Sequence, residues 1–314
     1  MTYNNYLTTP AILVLAVLLD KWLGEPKRFH PLVGFGRLAA WCETLARKSD
    51  IAAETDNVVR IKGALSALFL LLPWVLISAA LTAIPRWGML FQAVLLYFTI
   101  GTTSLARHAR NVANAMERNN LDLARFSVAM IVSRDTGDMQ ESDIARATVE
   151  SVLENGSDAV FAAIFWFLLL GAPGAVMYRL ANTLDAMWGY RTVRYLNFGW
   201  AAARFDDVLN WVPARLTALT YTLLGNLPAA WRCWRSQGRL WYSPNAGPVM
   251  AAGAGALVIE LGGPAIYHGA LKDRPILGEG RKPCAADIER AISLVQRGLW
   301  LWVALVISGG MILA

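Results

Sequence analysis

The stretch "ALSALFLLLPWVLISAALTAI" (64–84) carries no charged residue, and after a short turn the same is true of "GMLFQAVLLYFTIGTTSLA" (88–106). Each is close to the ~20 residues that a helix needs to cross the hydrocarbon of a bilayer. A segment in lipid must pair its own backbone amides, so both read as spanning helices. Working outward, "GLWLWVALVISGGMILA" (298–314) is shorter but flanked by Arg297 and reads the same way.

The whole composition agrees. Hydrophobic residues make up 56% and charged residues 17% of 314, with 13 Trp, far more apolar than a soluble domain of this size requires. The opening "TPAILVLAVLLDKW" has a short apolar run, no basic residue before it and no small-residue cleavage site after it, which argues for a retained short or interfacial helix over a removable leader. Cys42, Cys233 and Cys284 are odd in number and scattered, so they are expected as buried free thiols and not as a disulfide or zinc framework. The net charge of +6 is not laid out as a nucleic-acid surface. Every Lys and Arg except Arg86 falls in 20–62, 106–158, 179–215, 232–239 or 272–297, and Arg86 lies in the turn between the two long spans. The positive-inside rule puts that turn outside and the basic stretches in the cytoplasm.

That orientation constrains the run from Ala159 to Leu170. It is too short to span comfortably, it breaks at "GAPG" (171–174), and a full crossing would send the arginines of 179–215 outside. A re-entrant hairpin of two half-helices joined at Gly171, Pro173 and Gly174 returns the chain to the side it left, and is tolerated where protein covers the broken backbone. The same device is a candidate for 212–225 and for the Gly/Ala-rich run 246–263, whose small residues suit close helix packing. Segments 36–62 and 107–150 read as amphipathic cytoplasmic helices. The expectation is an all-α polytopic membrane bundle of spanning helices, short re-entrant or broken helices and cytoplasmic amphipathic helices, forming a single integral-membrane domain over 1–314.

Polar residues crowd beside this greasy material. In "SDIARATVESVLEN", Asp143, Ala147, Glu150 and Glu154 fall on one helical face, with Ser142 or Asp143 as cap, and Asn155 and Asp158 follow where the apolar run begins. A solvated acidic helix is the plain alternative, but ionisable groups at a membrane are costly enough to suggest function. Farther on, Asn182 and Asp185 are three apart, as are Asp207 and Asn210, with Asp206 adjacent. Arg179, Arg191, Arg194, Arg204 and Arg215 are interleaved with them. Oxygen ligands mixed with guanidiniums suit magnesium and phosphate, although an ion-pair network holding juxtamembrane helices would contain the same residues. The turn-rich pieces at 20–37, 243–248, 260–269 and 274–283 permit close ligand approach. "GFGR" is not a dinucleotide fingerprint, and no P-loop is present. His30, His108 and His268 lack metal-ligand spacing, and His30 in "FHP" is the one most worth testing.

Taken in order, "LDKWLGEPKRFHPLVGFGR", "SRDTGDM", "ESVLENGSDAVFAAIFWFLLLGAPGAVMYRLANTLDAMWGYR", "YLNFGWAAARFDDVLNWVPARLTA", "SPNAGPVMAAGAGAL" and "LGGPAIYHG" closely resemble the CbiB/CobD family, adenosylcobinamide-phosphate synthases of cobalamin biosynthesis, from about residue 17 to 300. With Asp206, Asp207 and Asn245 present, the chain resembles this biosynthetic branch and not its distant relative AmpE. The resemblance implies ATP- and magnesium-dependent joining of adenosylcobyric acid to aminopropanol or its phosphate, in a multi-pass inner-membrane protein with its site facing the cytoplasm. It leaves open a homo-oligomer or association with other membrane enzymes of the corrinoid pathway.

On that footing, Asp135, Glu150, Glu154, Asp185, Asp206 and Asp207 are expected to hold one or two magnesium ions. Arg134, Arg191, Arg194, Arg204 and Arg215 are expected to bind phosphates, with His30 on the substrate side. Asn155, Asn182, Asn210 and Asn245 would orient amides or phosphate oxygens. Glu154 or Asp158 would take the proton from the incoming ammonium, and Asp207 joins them as catalytic. Two readings compete: "FDDVLN" also suits an intramembrane magnesium-dependent prenyltransferase, and broken helices with inward polarity suit a transporter or sensor.

Overall fold

The computed structural model describes residues 5–26, 30–47, 55–267 and 269–314. Its helices in chain order are α1 (Asn5–Leu23), α2 (Pro31–Ala46), α3 (Asp56–Thr82), α4 (Gly88–Thr99), α5 (Thr102–Glu117), α6 (Leu121–Ala129), α7 (Glu141–Gly156), α8 (Ala162–Trp188), α9 (Trp200–Leu224), α10 (Leu227–Gln237), α11 (Ala246–Leu257) and α12 (Ala285–Leu313). One π-helical turn, Ser157–Phe161, links α7 to α8. Among the described residues four stretches are long and apolar enough to span: Asp56–Thr82, Gly88–Glu117, Glu141–Trp188 and Ala285–Leu313. The protein is an all-α polytopic membrane bundle. In α3 only 28% of the apolar window is buried, so Leu65, Leu68, Phe69, Leu72 and Leu76 face outward as a lipid-contacting surface.

The chain forms two compact units. One comprises Met1–Gly101, Ala162–Asn210 and Ile307–Ala314, the other Thr102–Phe161 and Trp211–Val306. In the first, α8 packs on α2, α3 and α4 around Leu70, Tyr178, Leu184, Trp188 and Phe198. In the second, α5, α6 and α7 pack together, and α11, buried at every position, lies against α7 and α10. Its small residues are required there. A Cβ on Gly253 would stand 2.6 Å from Leu153, and one on Gly255 2.7 Å from Ala230.

The break expected in α8 is present. Gly171 has φ 68° and ψ −163°, which an L side chain resists. A Cβ on Gly174 would lie 2.5 Å from the carbonyl oxygen of Trp166, eight residues earlier. In a continuous helix those positions stand about 12 Å apart. The chain therefore folds back at Gly171.

Other expectations need correction. Residues 212–225 form no hairpin but continue α9 through Pro213. Proline lacks the N–H that would bond the Leu209 carbonyl, and that carbonyl accepts the indole N–H of Trp166 instead, at 3.1 Å. The run 246–263 is helical only to Leu257; Val258 turns left-handed (φ 56°) and β1 (Glu260–Gly262) follows. The segment 88–106 falls within the spanning stretch Gly88–Glu117 as expected, with Ile100 extended between α4 and α5. Helix α7 is capped at Gln140, whose N–H donates to Asp143 Oδ2 at 3.2 Å. Cys42 and Cys233 are buried, but Cys284 is exposed.

Residues 260–278 form a two-stage hairpin. β1 pairs antiparallel with β4 (Ile276–Gly278), and within it β2 (Ala265–Tyr267) pairs with β3 (Ala270–Lys272). Glu260 opposes Gly278 while Ala265 opposes Lys272, so the returning strand carries one residue more between the two ladders. Arg274 lies in that bulge, and bulges re-aim side chains.

Candidate functional site

The predicted site residues fall into two constellations, one in each unit. In the first unit two helical (i, i+4) pairs face each other: Tyr178 and Asn182 on α8, Asp206 and Asn210 on α9. The Tyr178 hydroxyl donates to Asn210 Oδ1 at 2.8 Å, Asn210 Nδ2 donates to Asp206 Oδ2 at 3.0 Å, and Asn182 Nδ2 donates to Asp206 Oδ1 at 3.3 Å. Asp206 is only 8% exposed. Burial raises its pKa to about 6; the two amides oppose the rise and the neighbouring Asp207 charge adds to it. Asp207, less buried, is also raised by burial, with Arg204 and Arg191 holding it down. Arg204 reaches Asp207 at 3.5 Å. Asp185 lies one turn beyond Asn182, and its carboxylate has room because residue 189 is glycine: a Cβ there would collide with Asp185 Oδ1 at 2.0 Å.

Two expected phosphate-side groups in this unit have protein partners. Arg194 donates through Nε to Glu43 at 2.8 Å, pinning the 189–199 loop to α2. His30 caps α2, its Nδ1 accepting the Leu32 N–H at 3.2 Å. Burial lowers the His30 pKa, Glu25 opposes this, and the Arg179 charge reinforces it. His30 therefore sits within electrostatic range of the Arg179–Asn182 end of the ladder.

The second constellation is built on α7 and the 260–278 hairpin. Glu150 is 1% exposed. Its Oε1 accepts the Gly262 N–H at 2.7 Å and Arg274 Nη2 at 3.4 Å; its Oε2 accepts Arg274 Nη1 at 3.1 Å and Arg134. Arg274 also donates to the carbonyls of Gly263 (2.9 Å) and Gly262 (3.2 Å). Sequence reasoning assigned Glu150 to metal, whereas the structure commits both of its oxygens to two guanidiniums and a backbone amide. Glu154, one turn on and half-buried, makes no hydrogen bond or ion pair among the described residues. Around them stand aromatic rings: Arg274 over Trp241 (5.1 Å), Arg134 over Tyr267 (6.0 Å), and Lys272 over Tyr242 (4.5 Å). Burial and the nearby Glu154 charge push the Tyr242 hydroxyl up to about 12. Arg274, Lys272, Trp241, Tyr242 and Tyr267 were missed. The only signal for Tyr267, Lys272 and Arg274 was the turn-rich composition of 260–283, and for Trp241 and Tyr242 the adjoining turn-rich piece 243–248.

The remaining residues in this unit have local roles. Asp135 is exposed and accepts the Gly269 N–H at 2.6 Å, tying the 130–140 loop to the hairpin. Asn155 donates back to the Ser151 carbonyl at 2.9 Å. Asp158 lies in the π-turn, close enough to influence Tyr221. Arg215 donates to Asn245 Oδ1 at 2.8 Å and to the Pro244 carbonyl at 3.0 Å while lying over Trp211, which locks the 243–248 turn. Arg191 is exposed. His268 lies outside the described residues.

Comparison with known proteins supplies what geometry cannot. No solved structure matches the chain. A protein of Chromobacterium violaceum named cobalamin biosynthesis protein CobD is 58% identical over 301 residues, 96% of each chain. Its namesake in Stutzerimonas stutzeri is 56% identical over 299 residues, covering 95% of this chain and 97% of the relative. The namesake in Mycobacterium tuberculosis is 39% identical over 308 residues, covering 95% and 96%. The model of the family described as "CobD/Cbib protein" matches residues 13–295, both constellations included, and the chain belongs to that family.

Proposed function

We propose that the protein acts in cobalamin biosynthesis as an adenosylcobinamide-phosphate synthase, joining the free carboxylate of adenosylcobyric acid to aminopropanol or its phosphate at the expense of ATP. A carboxylate does not acylate an amine at useful rate. Its oxygen would attack the γ-phosphorus of ATP, releasing ADP; the amine nitrogen would then attack the acyl carbon, releasing phosphate and a proton. The observation that supports this best is the Asp206–Asp207 pair, with Asn182 and Asn210 bonded to Asp206 and Arg204 beside Asp207.

Magnesium fits that set. Its donors are hard oxygens, and among the described residues no three acid, histidine or cysteine side chains form a ready-made cage. An ion held by one or two carboxylates and completed by phosphate oxygens is what such a set accommodates. When bound, magnesium would screen the charge of the transferring phosphoryl group. Asp206 and Asp207 would hold it, and Arg191 and Arg204 would offset charge on the phosphate oxygens. Glu150 does not fit a metal, because its charge is already met by the two guanidiniums of Arg134 and Arg274, whereas the groups on Asp206 are neutral amides. Glu154, with neither oxygen committed, is suited to accept the ammonium proton.

The test is mass spectrometry of the corrinoid product formed by purified protein with adenosylcobyric acid, ATP, magnesium and each amine. Asp207→Ala should lower the rate by about 10³-fold with the protein still in the membrane. Unchanged product in that variant overturns the assignment and leaves a transporter or sensor. A prenyltransferase reading retains one observation: a 310 Å³ apolar cavity is lined by Leu71 of α3 and by Met177, Ala181, Leu184, Ala202 and Phe205, on the same helices α8 and α9 that carry Asn182 and Asp206. Consumption of a polyprenyl diphosphate in place of cobyric acid would establish it. We place the protein in the inner membrane with these groups facing the cytoplasm, to be checked by labelling of single cysteines introduced at positions 191 and 86 from either side.

A further inference from the structure

A second cavity borders the Gly262–Gly263 turn, whose Gly262 N–H donates to Glu150. It has a volume of 120 Å³, room for about four water molecules. Ser142 and Arg146 on the first two turns of α7 form one wall, Glu260 and Gly263 another, and Lys282 closes it. Gly262 and Gly263 are both left-handed, at φ 75° and 73°, so this turn is confined to glycine-like residues. A Cβ on Gly263 would reach to 3.6 Å from Arg146 Nη1 and take up space beneath the guanidinium.

The polar groups here are not consumed by the fold. Arg146 gives Nη2 to Asp143 at 2.5 Å, yet its Nε is buried without an acceptor. Among the described residues the side chains of Ser142, Lys282 and Glu260 make no hydrogen bond or ion pair. A cavity with only cations would favour a simple anion. This one sets a carboxylate, Glu260, among donors on Arg146, Lys282 and Ser142, and Asp143 already balances the Arg146 charge. Neither a bare anion nor a bare cation satisfies both kinds of group.

We propose that this cavity binds a small zwitterion, its oxyanion held by Arg146 Nε, Lys282 and Ser142 and its primary ammonium by Glu260. This rests on the synthase reading in taking the amine substrate in its phosphorylated form as the occupant, and in this cavity Glu260, not Glu154, holds the ammonium while the amine is bound. At 120 Å³ the cavity encloses a group the size of a phosphate, leaving the rest of the ligand at its mouth beside Glu260, and it excludes a nucleotide or a corrin.

The full-length protein in detergent would be titrated calorimetrically with 1-aminopropan-2-yl phosphate, inorganic phosphate and aminopropanol. Wild type should bind the aminophosphate more tightly than either fragment. Lys282→Ala should weaken that binding about tenfold or more. Glu260→Gln should weaken it similarly while leaving inorganic phosphate unchanged or tighter. Both positions are at the surface or partly so, and an unchanged melting temperature verifies folding. Affinities within twofold of wild type in both variants, or equal binding of phosphate and aminophosphate to wild type, would overturn the proposal. The two readings fail separately. If wild type binds the aminophosphate through these residues but makes no amide, the synthase reading falls and the site stands. If amide forms with an unchanged KM in both variants, the site falls and the synthase stands.

Discussion

Replacing Glu150 by Gln separates a clamp from a metal ligand. In the wild type one buried carboxylate faces Arg274, which is 4% exposed, and Arg134, whose side chain is 10% exposed, while also accepting the Gly262 N–H. A neutral amide leaves two guanidiniums without an anion, and its NH₂ must turn toward one of them. Removing one partner of a buried ion pair costs about 3–5 kcal/mol, and because Arg134 has a path to solvent the low end applies, about 3 kcal/mol. Glu150 joins α7 to the hairpin, so the cost should appear as easier opening of 260–278 and not as general unfolding.

Hydrogen exchange followed by mass spectrometry reads that opening peptide by peptide. At about 1.4 kcal/mol per tenfold, amides of 260–278 should exchange about a hundredfold faster in Glu150→Gln, with α3 and α4 unchanged. Arg274→Lys should do nearly the same, because a lysine keeps the charge but cannot fork across both carboxylate oxygens and two carbonyls. If the hairpin exchanges at the wild-type rate in both variants, the clamp is wrong. If it does so while Glu150→Gln alone abolishes magnesium-dependent turnover, the earlier assignment of Glu150 to metal is restored.

Three further outcomes follow from single contacts. Asp206 titrates higher in the folded protein than its ordinary value of about 3.9, so its contribution to stability is present at acid pH and is lost as pH rises from about 4 through about 6; the melting-temperature difference between wild type and Asp206→Asn should move in favour of the Asn variant across that interval, and a flat difference refutes the burial argument. Gly171→Ala meets only ordinary contacts, the nearest 3.4 Å away, so its cost is backbone strain of about 1–3 kcal/mol, visible as a lower melting temperature; an unchanged value means that the fold-back does not need glycine. Trp166→Phe strips the Leu209 carbonyl of its donor at a cost of about 1–2 kcal/mol, and Pro213→Ala in the same chain should recover part of it by restoring a helical N–H, whereas strictly additive double-mutant melting data would sink that account.

What the sequence discloses follows the range of the interaction concerned. Spanning segments are local facts, and 64–84 declares itself because an uncharged run of that length has few other uses. The reversal at Gly171 is equally local, since Gly, Pro and Gly within four residues remove both the donor and the Cβ that would enforce a helix. Pro213 invites the same inference and misleads. The group that rescues its missing hydrogen bond, Trp166, is 43 residues away from Leu209, and no local pattern announces that an indole will be aimed at one carbonyl. The four strands are three residues each, too short for alternation to be seen.

The same limit governs the site. Asn182, Asp206 and Asn210 could be singled out, but spacing set Asn210 with Asp207 and Asn182 with Asp185, and only the structure bonds both amides to Asp206. Glu150 could be found but not interpreted: its partner Arg274 is 124 residues away, in a strand bulge that exists only once the hairpin register is known. Arg194 shows the same effect, with Glu43 151 residues distant. A carboxylate located by spacing is therefore available to a ligand only after the cations that compete for it are placed. By that criterion Asp206, bonded to two neutral amides, remains a candidate for magnesium, while Glu150, facing two guanidiniums, holds the protein to itself.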